Sequence, residues 1–200
     1  MEKSKRHIVV VCGYGCHLKD PSGGDTPLKP YLDKVAGYMN TRQPELAVFC
    51  GGHTQNKTAP GVSEARLMVD YVADEFRHCA QTFLGKVRLD ATSYTTLENI
   101  RNAATAIRNW GFHHARGEKV RVTIFCEAHR APNVVMLARH FMRDLVDDIG
   151  DISVETASWE RADPFKQAWN LFYNRMAIKH PWLGLAEREH RRRVRRSVFI

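Results

Sequence analysis

The feature that most constrains this chain is a rhythm. Five short apolar runs, HIVVVC (7–12), ELAVFC (45–50), KVRLD (86–90), KVRVTIFC (119–126) and DISVET (151–156), alternate with longer stretches of helical spacing. The runs are rich in Val, Ile, Phe and Thr, which suit a pleated surface, and most are continuously apolar. A strand that is apolar on both faces must be covered on both, so the runs predict a parallel sheet between two helical layers. The stretches 28–42, 62–80, 96–110 and 131–147 supply the covering helices; in the last, Val134, Leu137, Ala138 and Phe141 recur on one face. After Pro164 two more helices are expected, 164–180 and 183–196, divided by His180-Pro181-Trp182. The predicted fold is α/β, a three-layer α/β/α Rossmann-like sandwich with a mostly parallel sheet and C-terminal helices. A single domain over 1–200 is expected, with its core at about 7–157 and a helical extension at 164–200.

No apolar stretch approaches the roughly 20 residues of a spanning helix, so no membrane span is expected. The apolar run near the N-terminus, Ile8 to Cys12, leads straight into glycine and is too short for a signal peptide. Five cysteines, an odd number, are not a disulfide framework. Cys12, Cys50 and Cys126 each end an apolar run, where cysteine acts as a small buried hydrophobe. Cys12 and Cys16 have no second pair at zinc-binding spacing, so no metal site is expected. These readings together point to a cytoplasmic protein.

The net charge of +8 is concentrated: EREHRRRVRR, 187–196, holds six arginines against two glutamates. No nucleic-acid recognition motif accompanies it, so nucleic acid is not the expected partner. The tail reads as a solvated helix face or a dock for acidic groups, including Asp147, Asp148 and Asp151 of another subunit. Before it, Phe165, Trp169, Phe172, Tyr173 and Met176 recur at helical spacing. Such a stripe is expected to pack against the sheet domain or a second subunit, which makes a homo-oligomer through the C-terminal helices one expectation.

Four segments follow strands: Gly13-Tyr14-Gly15, Gly51-Gly52-His53, the hydroxyl run Thr92–Thr96, and CEAHRAPN at 126–133. Open parallel sheets bind ligands beyond the carboxyl ends of their strands. The first segment is no dinucleotide fingerprint, because Leu18 stands where the third glycine belongs. The amides of Gly13, Gly15, Gly51 and Gly52, with the hydroxyls of Ser93 and Thr96, are expected to cradle a phosphate or carboxylate. Thr95 and Glu98 have capping-box spacing. Asn99 needs a partner inside a helix and is expected to tie the 92–98 turn to a neighbouring loop. Ser63 and Glu64 suit a helix start as cap and first-turn acid. As chemistry, Glu64 or Glu98 would position or deprotonate a nucleophile, and His129 has the pKa range of an acid/base.

Taken together these residues resemble the YdcF-like family (SanA and ElyC relatives; domain of unknown function 218). The matching positions are Gly13 and Gly15, Gly51 and Gly52, Ser63-Glu64-Ala65, then Asp90, Ser93, Thr96, Glu98 and Asn99, with Cys126 and His129 last. The similarity covers roughly 7–157. It departs at Thr95, where the family has Asn, and at Cys126, where a small hydroxyl residue is usual. Pro132 replaces an arginine, and Tyr31 stands about where another arginine is often found. The resemblance implies a Rossmann-like fold with a pocket at the strand carboxyl ends, and S-adenosylmethionine or a nucleotide as a ligand class. The expected function is a small cytoplasmic enzyme acting on a phosphorylated or nucleotide-like metabolite by hydrolysis or group transfer. The alternative is a non-catalytic nucleotide or S-adenosylmethionine binding module.

Overall fold

The computed structural model describes residues 5–13, 28–53, 61–75, 84–114, 118–157 and 163–198. Strands β1 (Arg6–Cys12), β2 (Leu46–Cys50), β3 (Val87–Asp90), β4 (Val120–Glu127) and β5 (Ile152–Ala157) form one sheet. Its order is β3-β2-β1-β4-β5, and every neighbouring pair is parallel. β2 is buried at all five positions and β4 at all but Arg121, which is why these runs are apolar without alternation.

Each face carries its own core. Helices α1 (Leu28–Arg42) and α2 (Glu64–Glu75) cover one, packing Tyr31, Leu32, Val35 and Met68 against Val9, Val11, Phe49 and Phe125. Helices α3 (Thr96–His114) and α4 (Ala131–Phe141) cover the other, packing Ile100, Ile107 and Leu137 on Ile8, Val48 and Ile124. The expected three-layer α/β/α Rossmann-like sandwich is the architecture found.

The C-terminal extension consists of α5 (Pro164–Lys179) and α6 (Leu185–Val198), joined by a short turn at Pro181–Leu183. Asp163 caps α5 by accepting from the N–H groups of Phe165 and Lys166. Gly184, at φ +59°, breaks the chain between the two helices where a side chain would be strained. The extension lies on the α4 side: Ala177 of α5 joins that core, and Leu185 and Ala186 of α6 pack against it. A buried hydrogen bond of 3.2 Å from the Asn174 amide to the Asn133 carbonyl oxygen fastens α5 to α4. Among the described residues no helix is long and apolar enough to cross a membrane.

Three details differ from the sequence reading. The helix expected over 131–147 ends at Phe141, because Arg108 takes the Phe141 carbonyl at 2.5 Å and both oxygens of Asp144. The acids Asp147 and Asp151 are held within the chain by Lys5, at 3.1 and 2.6 Å, and Asp148 caps its own turn. Three residues of the α5 stripe, Phe165, Trp169 and Phe172, are exposed and do not pack on the sheet, whereas Tyr173 and Met176 are half-buried.

Candidate active site

The sheet order reverses between β1 and β4, and the crevice of such a fold opens at that point, beyond the carboxyl ends of the two strands. Its floor is polar. The fully buried Tyr31 of α1 brings its hydroxyl to 2.9 Å from the carbonyl of Cys12, the last residue of β1, and 3.0 Å from that of Phe125, two residues before the end of β4. One phenolic proton is thereby shared between two carbonyls that the diverging strands leave behind. Above them Arg130, in the turn Ala128–Arg130 after β4, donates to the Gly13 carbonyl at 3.1 Å. Its guanidinium also pairs with the buried Glu127 carboxylate at 3.0 Å. Arg130 therefore links the chain after β1 to the turn after β4 and brings a cation to that edge.

Glu64 is a further acid at this edge, only 2% exposed. It opens α2, whose first turns hang from the glycine pair: Glu64 N–H donates to the Gly52 carbonyl at 2.9 Å and Ala65 N–H to the Gly51 carbonyl at 3.0 Å. The carboxylate then lies against the ends of β1 and β2. A Cβ added to Gly13 would stand 2.5 Å from Glu64 Oε2, and one added to Gly51 would stand 3.0 Å from Glu64 Cβ. At both positions glycine makes the space in which this acid sits.

The glycine amides are engaged within the chain. Gly13 N–H donates to the Cys50 carbonyl at 2.6 Å, Gly51 to Asp90 at 2.9 Å and Gly52 to Ser93 at 2.7 Å. These three residues thus serve close approach and strand exit, and their N–H groups are not aimed at a ligand. Gly15 lies outside the described residues.

The hydroxyl run resolves into two small networks. Asp90 accepts from the Thr92 N–H at 3.0 Å, from the Thr92 hydroxyl at 2.7 Å and from the Ser93 hydroxyl. Asn102, two turns into α3, donates to Ser93 Oγ at 3.0 Å and to Asp90 Oδ1 at 3.3 Å. Asn102 thus ties the turn after β3 to its own helix; the link from Asn99 to a neighbouring loop is not found among the described residues. The Asn99 Oδ1 atom is buried and has no partner among the described residues. The second network is the capping box: Glu98 N–H donates to Thr95 Oγ1 at 3.1 Å, while Glu98 Oε2 accepts from the N–H groups of Thr95 and Tyr94. Thr96, the first residue of α3, is half-buried.

The other oxygen of Glu98 reaches the C-terminal helix. Oε1 stands 2.6 Å from Nδ1 of His190, an ion-pair distance although the ring N–H is not aligned for a directed hydrogen bond. The His190 ring meets Tyr94 edge-on at 5.4 Å, and Arg193 donates to the Tyr94 carbonyl at 3.1 Å. α6 therefore docks on the turn before α3, and a groove of about 520 Å³ between them is lined by Glu98, Arg101, Glu187, His190 and Arg191. Glu98 belongs to this groove and to its own helix cap.

His129 is exposed in the turn after β4. Cys126 is buried, and burial pushes its thiol up to about 12. Burial also raises Cys12 and Cys50, so none of the three is a thiolate at neutral pH. Among the described residues no three His, Cys, Asp or Glu side chains converge as a metal site. The sequence reading missed Glu127 and Arg130. A carboxylate closing an otherwise apolar strand, with an arginine three residues on, was the available signal. Compared with known proteins, the chain matches no family model, no curated protein and no solved structure at a significant level.

Proposed function

We propose that the chain is a small cytoplasmic enzyme that acts on a phosphorylated or nucleotide-like metabolite, by hydrolysis or group transfer, in the crevice beyond β1 and β4. The observation that carries this reading is Glu64. This chain gives up side chains at Gly13 and Gly51 to seat a buried acid at the ligand-binding edge of the fold. In open parallel α/β sheets this edge is where ligands bind. Glu64 would orient or deprotonate the nucleophile, Arg130 would face the anion of the substrate, and the exposed His129 would exchange the proton with solvent. The resemblance to the YdcF-like segments supports the same edge, and S-adenosylmethionine or a nucleotide as the ligand class.

A second reading is favoured by one observation: Glu98, another acid of the motif, is committed to its cap and to His190. With fewer carboxylates left for proton transfer, the crevice would serve a non-catalytic nucleotide or S-adenosylmethionine binding module. Mass spectrometry of small molecules retained by the purified protein identifies the ligand. Glu64→Gln then separates the readings. An enzyme loses turnover of that ligand and keeps most of its affinity, whereas a binding module shows no turnover in either form. Retained ligand that still binds after both Glu64→Gln and Arg130→Ala would remove the crevice from consideration.

A further inference from the structure

We propose that the outer face of α5 is a docking surface for an anionic lipid bilayer, with the helix lying in the plane of the headgroups. The inward side of α5 is mixed: the buried Asn174 bonds Asn133, and Ala177 and Ile178 beside it pack on the apolar core. Its outward side carries Phe165, Trp169 and Phe172, which are 88%, 64% and 54% exposed. Their spacing of four and three residues puts them in one row along the helix. Nothing in burial of α5 against its own domain requires an aromatic at those positions.

Charge decides what covers the row. α5 contains Lys166, Arg175 and Lys179 and no carboxylate at all. At 100° per residue Arg175 and Lys179 fall beside the row, on the same side as Phe172. α6 packs against α5 and exposes Arg188, Arg191 and Arg195, one helical face at spacing three and four. A second copy presenting the α5 face would bring Arg175 and Lys179 against their equals, in a chain of net charge +8. The acids once available for such a pairing, Asp147 and Asp151, are already held by Lys5. The three aromatics expose on the order of 400 Å², about half of what one partner contributes to a standard protein interface. Stacking of nucleic-acid bases is the weaker fit, because Trp169 and Phe172 lie against each other at 5.8 Å and are set along a helix ridge. Aromatic side chains in a row with lysine and arginine at their flanks are the composition of a helix that seats in a headgroup layer and is drawn there by anionic lipid.

The test uses the full chain with vesicles of phosphatidylcholine alone and of phosphatidylcholine mixed with phosphatidylglycerol, separated by sedimentation. Sedimentation velocity and binding to single-stranded RNA are measured in parallel. The expected result is partition onto the mixed vesicles at least about tenfold above that onto phosphatidylcholine, lost at high salt and accompanied by a blue shift of tryptophan emission. Trp169→Ala with Phe172→Ala should lower partition at least about tenfold, with circular dichroism and melting unchanged because both side chains are exposed. Arg175→Glu with Lys179→Glu should do the same through charge. Equal or absent partition onto the two vesicles would overturn the proposal. So would a dimer, or RNA binding, that the aromatic substitutions abolish while vesicle partition is unaffected.

Discussion

His190 Nδ1 stands 2.6 Å from Glu98 Oε1, across the join between the C-terminal helix and the turn that follows β3. The same carboxylate accepts from the Tyr94 and Thr95 N–H groups through its other oxygen. Glu98→Ala therefore removes a helix cap and the anchor of α6 in one step. The expected loss is about 1–3 kcal/mol in chemical denaturation. Glu98→Gln, which keeps an accepting oxygen for the cap, should cost less. Equal losses for the two substitutions would show that the pairing with His190, and not the cap, dominates.

Gly13→Ala should be more damaging than Gly51→Ala. The added methyl at 13 meets Glu64 Oε2 at 2.5 Å and the Cys50 carbonyl at 2.9 Å, whereas at 51 its nearest atom is Glu64 Cβ at 3.0 Å. Overpacking of this kind costs roughly 1–3 kcal/mol. Glu64→Ala should restore part of the Gly13→Ala loss, because it clears the side-chain clash and leaves only the backbone one. Melting of the two single variants and the double variant checks this.

Asn102→Ala should destabilise by about 1–2 kcal/mol, since it withdraws donors from both Ser93 and Asp90. Asn99→Ala should leave the melt nearly unchanged or raise it, because the oxygen removed has no partner among the described residues. If Asn99→Ala nevertheless weakens binding of the retained small molecule, that amide belongs to the ligand site.

Stability should fall as pH drops below the ordinary histidine range, and His7 should account for part of the slope. Burial, then the charges of Arg121 and Arg42, lower the pKa of His7 in the folded chain from 6.5. Above 6.5 the group is neutral in both states and contributes nothing to the slope. Below it the unfolded chain binds the proton first, so stability declines by at most about 1.4 kcal/mol per pH unit until the folded group also titrates. The neutral ring lies 3.0 Å from the Thr123 hydroxyl, within a hydroxyl cluster that includes Tyr38 and Ser153. His7→Gln should flatten the decline in urea titrations between pH 7 and pH 5, and an unchanged slope would mean that other groups carry it.

Much of this was legible in the chain. Continuous apolar runs cannot face water on either side, so the layered α/β frame followed from them directly, as did the Thr95–Glu98 cap. The glycine pair was correctly placed at a strand exit, but its role depends on where Glu64 points, which no local spacing reveals. Tyr31, Arg130 and Asn102 were harder still, because each acts on a group between 9 and 117 positions away in the chain. The α5 stripe left two partners open for a related reason: helical spacing shows that a face is apolar, and only the bond from Asn174 to Asn133 shows which face is turned inward.

That amide pair has a consequence for any chain descended from the same ancestor. Neither Asn133 nor Asn174 has a reason to be polar without the other, since each is buried and would be orphaned by loss of its mate. The two columns should therefore change in step. A lineage that sheds the last two helices should turn position 133 apolar or open it to water, so that one residue in the middle of the domain records whether the extension was ever there.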